Sequence, residues 1–247
     1  MNDDMIIAIE TSGRRGSVAL AKGPRLLGEG EFATQVEHAR ELLPALDSLC
    51  RDHSLAPAEI RQCYVSIGPG SFTGLRVAAT FARHLALATG ARLCAVPTLD
   101  VIVENCLGLD APPANVAVIL DAKREQVFAA LFRFADGAYC RLIDPQLIRP
   151  IDLLAGAPRP IAAIGEGITY HKEAVQAGGA EILDSSLWWP RAASVHKLGW
   201  QLAREGLFTS PQRLVPCYIR RPEAEELWEK REGLPANPPT RPEASAE

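Results

Sequence analysis

The chain has 247 residues, 47% of them hydrophobic and 23% charged, with a formal net charge of −4. That length carries one large domain or two modest ones with real cores, and the composition is that of a soluble globular protein. The acidic balance argues against a chain that grips nucleic acid by itself, since phosphate contacts dominate that affinity, and no apolar run approaches the ~18 residues of a membrane span.

The N-terminal stretch MNDDMIIAIE carries two aspartates and no basic n-region, so no signal peptide is expected. The cysteines, Cys50, Cys63, Cys94, Cys106, Cys140 and Cys217, include no C-x-x-C pair and sit mostly in apolar segments. Buried free thiols in a reducing cytoplasm fit that spacing, and a zinc site does not.

In chain order, Met5 to Thr11 reads as a buried strand, Ser17 to Ala21 as a second and Arg25 to Phe32 as a third, joined by tight turns. A helix follows from about Glu37 to Asp52, with Ala39, Leu42, Leu43, Leu46, Leu49 and Cys50 on one face. A strand at Gln62 to Ile67 runs through Gly68-Pro69-Gly70 into Ser71, a helix cap, and then into a long apolar helix ending near Gly90. Arg92 to Val96 is a strand, and Thr98 to about Leu107 a helix. The order βββαβα then begins again. Strands are expected at Asn115 to Asp121, Gln126 to Phe134 and Tyr139 to Ile148, then a short helix near Ile151 to Ala155. A strand at Pro160 to Ile164, a helix at Ile168 to Ala177, a strand at Glu181 to Leu183 and a helix from Ala193 to Glu205 complete the pattern.

Two βββαβα units with a cleft between them are the layout of the two-lobed actin-like and Hsp70-like ATPases, an α/β fold of paired ribonuclease H-like lobes. The expected lobes are residues 1–110 and 111–232, the second ending in a C-terminal strap. Residues 233–247 hold four prolines and few apolar side chains, and a disordered tail is expected.

In that layout the first hairpin turn holds magnesium and phosphate. Here it reads Glu10-Thr11-Ser12-Gly13: the hydroxyls suit phosphate, but the glutamate is a methylene longer than the aspartate such a site needs. The Gly68 to Gly74 loop, with Gly68, Gly70 and Ser71, either presents helix N–H groups to an anion or simply makes a good turn. A second phosphate loop should open the second lobe, yet Asp121-Ala122-Lys123-Arg124-Glu125 has no glycine to let backbone approach a nucleotide. Gly165-Glu166-Gly167 is too short to carry weight as an adenosine loop. ATP or ADP binding is therefore expected to be weak, or confined to an assembled complex, and no cofactor is expected to be intrinsic.

On the long helix Gly74, Ala78, Ala82 and Ala86 recur every four residues, a ridge of small side chains that lets a second helix come close. Leu75 widens the apolar zone. Either the chain's own sheet and helices cover this ridge, or part of it meets another subunit, with the Glu37 to Asp52 helix as its neighbour through Leu42 and Leu46. His38 has no second histidine at i+4, so it reads as a surface or interface residue and not as a metal ligand. His53, His84, His171 and His196 make no metal spacing either, and no catalytic Ser-His-Asp or Cys-His set can be assembled. Pro216 to Trp228 mixes aromatic and charged residues, as a docking segment or a strap would.

Taken together, these motifs resemble the TsaB family, also called YeaZ. The resemblance rests on Ile9-Glu10-Thr11-Ser12 with Ser17 to Leu20, His38 to Pro44, Gly68-Pro69-Gly70-Ser71-Phe72-Thr73-Gly74-Leu75-Arg76, Leu120-Asp121-Ala122 before Val127, and Pro216 to Arg220 with Glu223-Ala224. Glu10 departs from the aspartate usual there. The resemblance implies a non-catalytic cytoplasmic subunit of the bacterial machinery that makes N6-threonylcarbamoyladenosine at position 37 of ANN-decoding tRNAs. It implies pairing with a TsaD-like catalytic subunit, which holds the metal, through a bundle of first-lobe helices. It further implies a TsaE-like ATPase as third member, tRNA met through the complex, and self-association through overlapping surface. The competing classes are an independent ATP-dependent kinase or ATPase of the same fold, and a metallopeptidase, against which the missing histidine pair argues.

Overall fold

The computed structural model describes residues 3–32, 38–219 and 231. The proposed helix start at Glu37, most of the stretch after Ile219 and the 233–247 tail lie outside these. The first half forms β1 (Met5–Glu10), β2 (Gly16–Lys22), β3 (Arg25–Phe32), α1 (His38–Asp52), β4 (Ile60–Ser66), α2 (Phe72–Thr89) and β5 (Arg92–Val96). After α3 (Thr98–Val103) come β6 (Asn115–Asp121), β7 (Val127–Ala135), β8 (Ala138–Ile148), α4 (Pro150–Ala155), β9 (Ala162–Ile164), α5 (Ile168–Ala177), β10 (Glu181–Ile182) and α6 (Ala192–Arg204).

The strands make two five-stranded sheets, ordered β3-β2-β1-β4-β5 and β10-β9-β6-β7-β8. Read from β8, the second repeats the first. In each, three antiparallel strands lead and two parallel strands follow on the other side of the first. This is the ribonuclease H-like order, present twice, and it defines the actin-like architecture. The second copy is fainter in the sequence because β9 and β10 are only 3 and 2 residues long.

Each central strand is buried on both faces, which is why β1 and β6 read as apolar runs and not as alternating ones. On one side of the first sheet, Ile7, Ile9, Val18, Leu20, Val65 and Leu93 meet Leu42, Leu46 and Leu49 of α1 and Ala78, Ala82 and Ala86 of α2. On the other side, Ile6, Ala8, Ala19, Tyr64, Cys94 and Val96 meet Ala192 and Val195 of α6. The second sheet packs on α4 and α5 through Leu153, Leu154, Ile168 and Val175. Its opposite face packs on Leu99, Ile102 and Val103 of α3. The lobes therefore exchange helices: α3 follows the first sheet in sequence and covers the second, and α6 returns from the second to cover the first. A cut at residue 110 separates the sheets but not these helices.

Ser71 caps α2 by accepting from Gly74 N at 3.3 Å, and Gly90 ends it in the left-handed region at φ 74°. Among the cysteines, Cys50, Cys63, Cys94 and Cys106 are buried, whereas Cys140 is exposed and Cys217 half-buried. Burial pushes the Cys106 thiol up to about 11 and the Cys94 thiol up to about 12. No helix among the described residues is long and apolar enough to cross a membrane.

Candidate functional site

The cleft is built where the first turns of the two lobes face each other. β1 carries Glu10 to its end, and Thr11 and Ser12 follow it into the turn. All three are buried. Ser12 N and Ser12 Oγ both donate to Glu10 Oε1, each at 2.5 Å. Thr11 Oγ1 donates to the Gly74 carbonyl at 2.8 Å, and Ser71 N donates to the Ser12 carbonyl at 2.7 Å. A Cβ at Gly70 would stand 2.4 Å from that same Ser12 oxygen. Glycine is required there because two pieces of chain meet, and those donors are spent inside the protein.

Glu10 itself is fully buried and does not line the cleft. Burial raises its pKa, against the opposing pull of the Ser12 and Ser66 hydroxyls and the Ser12 and Gly13 N–H groups. Its Oε2 has no hydrogen-bond partner among the described residues. A carboxyl folded back in this way does not fit a magnesium site facing the cleft. Among the described residues no group of three or more His, Cys, Asp or Glu side chains could hold a metal ion.

The second turn is closed in a different manner. Lys123, Arg124 and Glu125 all lie in the left-handed region, at φ 60°, 54° and 61°. Side-chain-bearing residues enter that region at roughly 1–2 kcal/mol each. Lys123 N donates to Asp121 Oδ1 at 3.1 Å, and His171 Nε2 lies 3.2 Å from the same oxygen. Nothing in the sequence signals such a turn, since no glycine marks it. Gly165, at φ 111°, abuts β6: a Cβ there would stand 2.3 Å from the Ile119 carbonyl. The Gly165-Glu166-Gly167 pair thus serves strand-to-helix approach.

Between the turns lies a cavity of about 660 Å³, with Ser12, Ser71, Thr98, Lys123, Glu166 and Trp189 in its walls. Arg14 spans it, donating to the Tyr170 hydroxyl and lying 3.8 Å from Glu166 Oε2. Burial raises the Glu166 pKa and the Arg14 charge opposes the rise. The chain after α6 closes one end. Leu214 is buried in the first-lobe core, Cys217 N donates to the Ile67 carbonyl at 2.7 Å, and Tyr218 reaches α2.

The helix ridge requires a correction. Gly74, Leu75, Ala78, Ala82 and Ala86 are buried within this chain, and so are Leu42 and Leu46 of α1. Their small or apolar side chains let α2 and α1 settle on the first sheet, and of these residues only Leu42 also lines the groove on the outer side. His38 begins α1, and its side chain lies outside the described part. The face left open is the other one. Leu43 is 56% exposed and Leu87 74% exposed. Val77, Phe81 and Leu85 are half-buried beside exposed Thr73, Thr80, Arg83 and His84. A shallow groove of about 480 Å³ runs between α1 and α2 here, floored by Val77 and Phe81 and flanked by Ala39, Leu43, Phe72 and Thr80. The interleaving of Val77 and Phe81 with Thr73, Thr80, Arg83 and His84 along α2 was the available signal for it.

Two ribonuclease H-like lobes around a cleft whose turns are closed on themselves define a two-lobed protein of the actin-like ATPase fold. The family model described as "TsaD: tRNA N6-adenosine threonylcarbamoyltransferase" matches residues 32–228. The chain is 28% identical over 229 residues to the "tRNA threonylcarbamoyladenosine biosynthesis protein TsaB" of Bacillus subtilis (strain 168), covering 90% of this chain and 97% of that protein. It is 22% identical over 232 residues to the protein of the same name from Escherichia coli (strain K12), covering 92% and 98%. The solved structure of YeaZ from Pseudomonas aeruginosa shares the fold, with a TM-score of 0.74 at 24% identity over 86% of this chain and all of that one. The chain belongs to this threonylcarbamoyltransferase family, as a member of its TsaB (YeaZ) group.

Proposed function

We propose that this chain is a non-catalytic subunit in the synthesis of N6-threonylcarbamoyladenosine at position 37 of tRNA, binding and activating a TsaD-like catalytic subunit. The observation that carries the reading is the near end-to-end match to relatives named for threonylcarbamoyladenosine biosynthesis, 90% of this chain against 97% of the Bacillus protein. Two features of the molecule support the non-catalytic part. The first-turn donors Ser12 N, Ser12 Oγ and Thr11 Oγ1 are consumed internally. The second turn offers side chains, not glycine backbone, to the cleft. In this reading no nucleotide is intrinsic, and ATP or ADP binds only weakly or in the assembled complex.

The pairing surface in this reading is the outer α1–α2 face, not the buried ridge. Exposed Leu43 and Leu87 with half-buried Val77, Phe81 and Leu85 give an apolar centre, and Arg76, Arg83 and His84 a polar rim. A TsaE-like ATPase joins the pair, and tRNA is held mainly by the other subunits, in keeping with a net charge of −4. The setting is the cytoplasm, where the substrate tRNA is.

Sedimentation of the chain mixed with a TsaD-like subunit tests the pairing. Wild type is expected to form a 1:1 heterodimer. Thr80→Glu and Leu43→Asp, both at exposed positions, are expected to abolish it with little loss of stability. Absence of any heterodimer, or one indifferent to both substitutions, contradicts the reading. Self-association lost with the same substitutions, with no heterodimer formed by the wild type, would assign the face to a second copy instead.

A further inference from the structure

The groove between α1 and α2 and the cleft between the lobes share a wall. Phe72 lines both. Arg76, one turn further along α2, lines the groove, and Tyr218 of the C-terminal segment lines the cleft. The three side chains form one cluster. The Tyr218 and Phe72 ring centroids are 5.1 Å apart, the Arg76 guanidinium sits 3.7 Å from the Phe72 ring centre, and Arg76 Nε donates to the Tyr218 hydroxyl at 3.2 Å. The backbone fixes Tyr218 through its neighbour, since Cys217 N donates to the Ile67 carbonyl, one residue past the end of β4.

From this geometry we infer that Tyr218 is a positioning residue for the pairing surface: it holds Arg76 and Phe72 in their groove-lining conformation, and so couples the segment at Pro216 to Ile219 to the occupant of the α1–α2 face. This deepens the pairing proposed above and rests on it, with the TsaD-like subunit as the occupant. Arginine is a flexible side chain that loses rotamer freedom when a partner immobilises it. Here a π-face and a hydroxyl acceptor set its orientation beforehand, so less ordering is left for association. Linkage makes the effect mutual. A partner that seats on Arg76 and Phe72 in these positions also stabilises Tyr218 where it lies, and with it the cleft wall.

The test is a double-mutant cycle on heterodimer affinity, with Tyr218→Ala, Arg76→Ala and the pair, and Tyr218→Phe as the conservative variant. Tyr218→Ala is expected to weaken binding about tenfold. Tyr218→Phe, which keeps the ring and loses only the hydroxyl, is expected to fall between it and wild type. In the Arg76→Ala background the Tyr218→Ala effect is expected to shrink markedly, as coupled neighbours require. Amide exchange in the Leu214 to Ile219 peptide is expected to slow when the partner is added and to quicken in Tyr218→Ala. Wild-type affinity in both Tyr218 variants, or full additivity in the cycle, overturns the inference while leaving the pairing intact. Failure of the wild type itself to bind overturns the pairing, and the inference with it.

Discussion

Glu10 is turned inward and fully buried at the end of β1. The side chain reaches back to Ser12 N and Oγ and satisfies both donors. Removal from water then raises its pKa above the ordinary 4.5. A carboxyl whose folded pKa is raised contributes stability that is fully present below its unfolded value and lost as pH rises through the folded one. The urea midpoint of wild type should therefore contain a component that falls as pH climbs above the ordinary glutamate range. Glu10→Gln, which cannot ionise, should remove that component; identical pH profiles for the two proteins would show that the carboxyl is not buried as described. The sequence made the substitution visible and its oddity for a metal site plain. It could not reveal that the side chain turns inward, since that is a matter of how the folded chain covers the first turn, where Ser71 N donates to the Ser12 carbonyl at 2.7 Å.

The elements themselves were readable almost throughout, because periodicity and turn chemistry agree along the chain. β3, β5, β6 and α5 fall on their expected residues, and α6 begins one residue early. The orientation of α2 was not readable. A small residue every fourth position says that something approaches closely, but a sheet of the same chain and a helix of another satisfy it equally. The sheet is what lies there: Ala78 and Ala82 are fully buried against it. Ala82→Glu is accordingly expected to unfold the first lobe, since an unpaired buried carboxylate costs several kcal/mol on top of overpacking. A folded Ala82→Glu protein that had merely lost its partner, judged by its thermal transition, would restore the ridge as an interface.

At the level of the whole molecule, the exchange of α3 and α6 makes the two lobes depend on each other. Order along the chain assigns α6 to the second unit, and no local pattern could move it. Its apolar face instead completes the first sheet, with Val195 packed among the residues around Tyr64 and His196 donating from Nε2 to the Gly23 carbonyl at 2.9 Å. A fragment of residues 1–110 lacks that cover and is expected to show no cooperative urea transition and to bind a hydrophobic dye; a sharp transition would show that the first lobe stands alone. The same exchange places the C-terminal segment beside α2, where cleft and groove adjoin. The central claim is that this two-lobed chain serves tRNA modification as a partner and not as a catalyst. The most direct measurement is threonylcarbamoyladenosine formation on tRNA by a TsaD-like subunit with its other partners held fixed, with this chain present, absent, or carrying Thr80→Glu. Modification is expected only with the wild-type chain; equal modification in its absence would contradict the account.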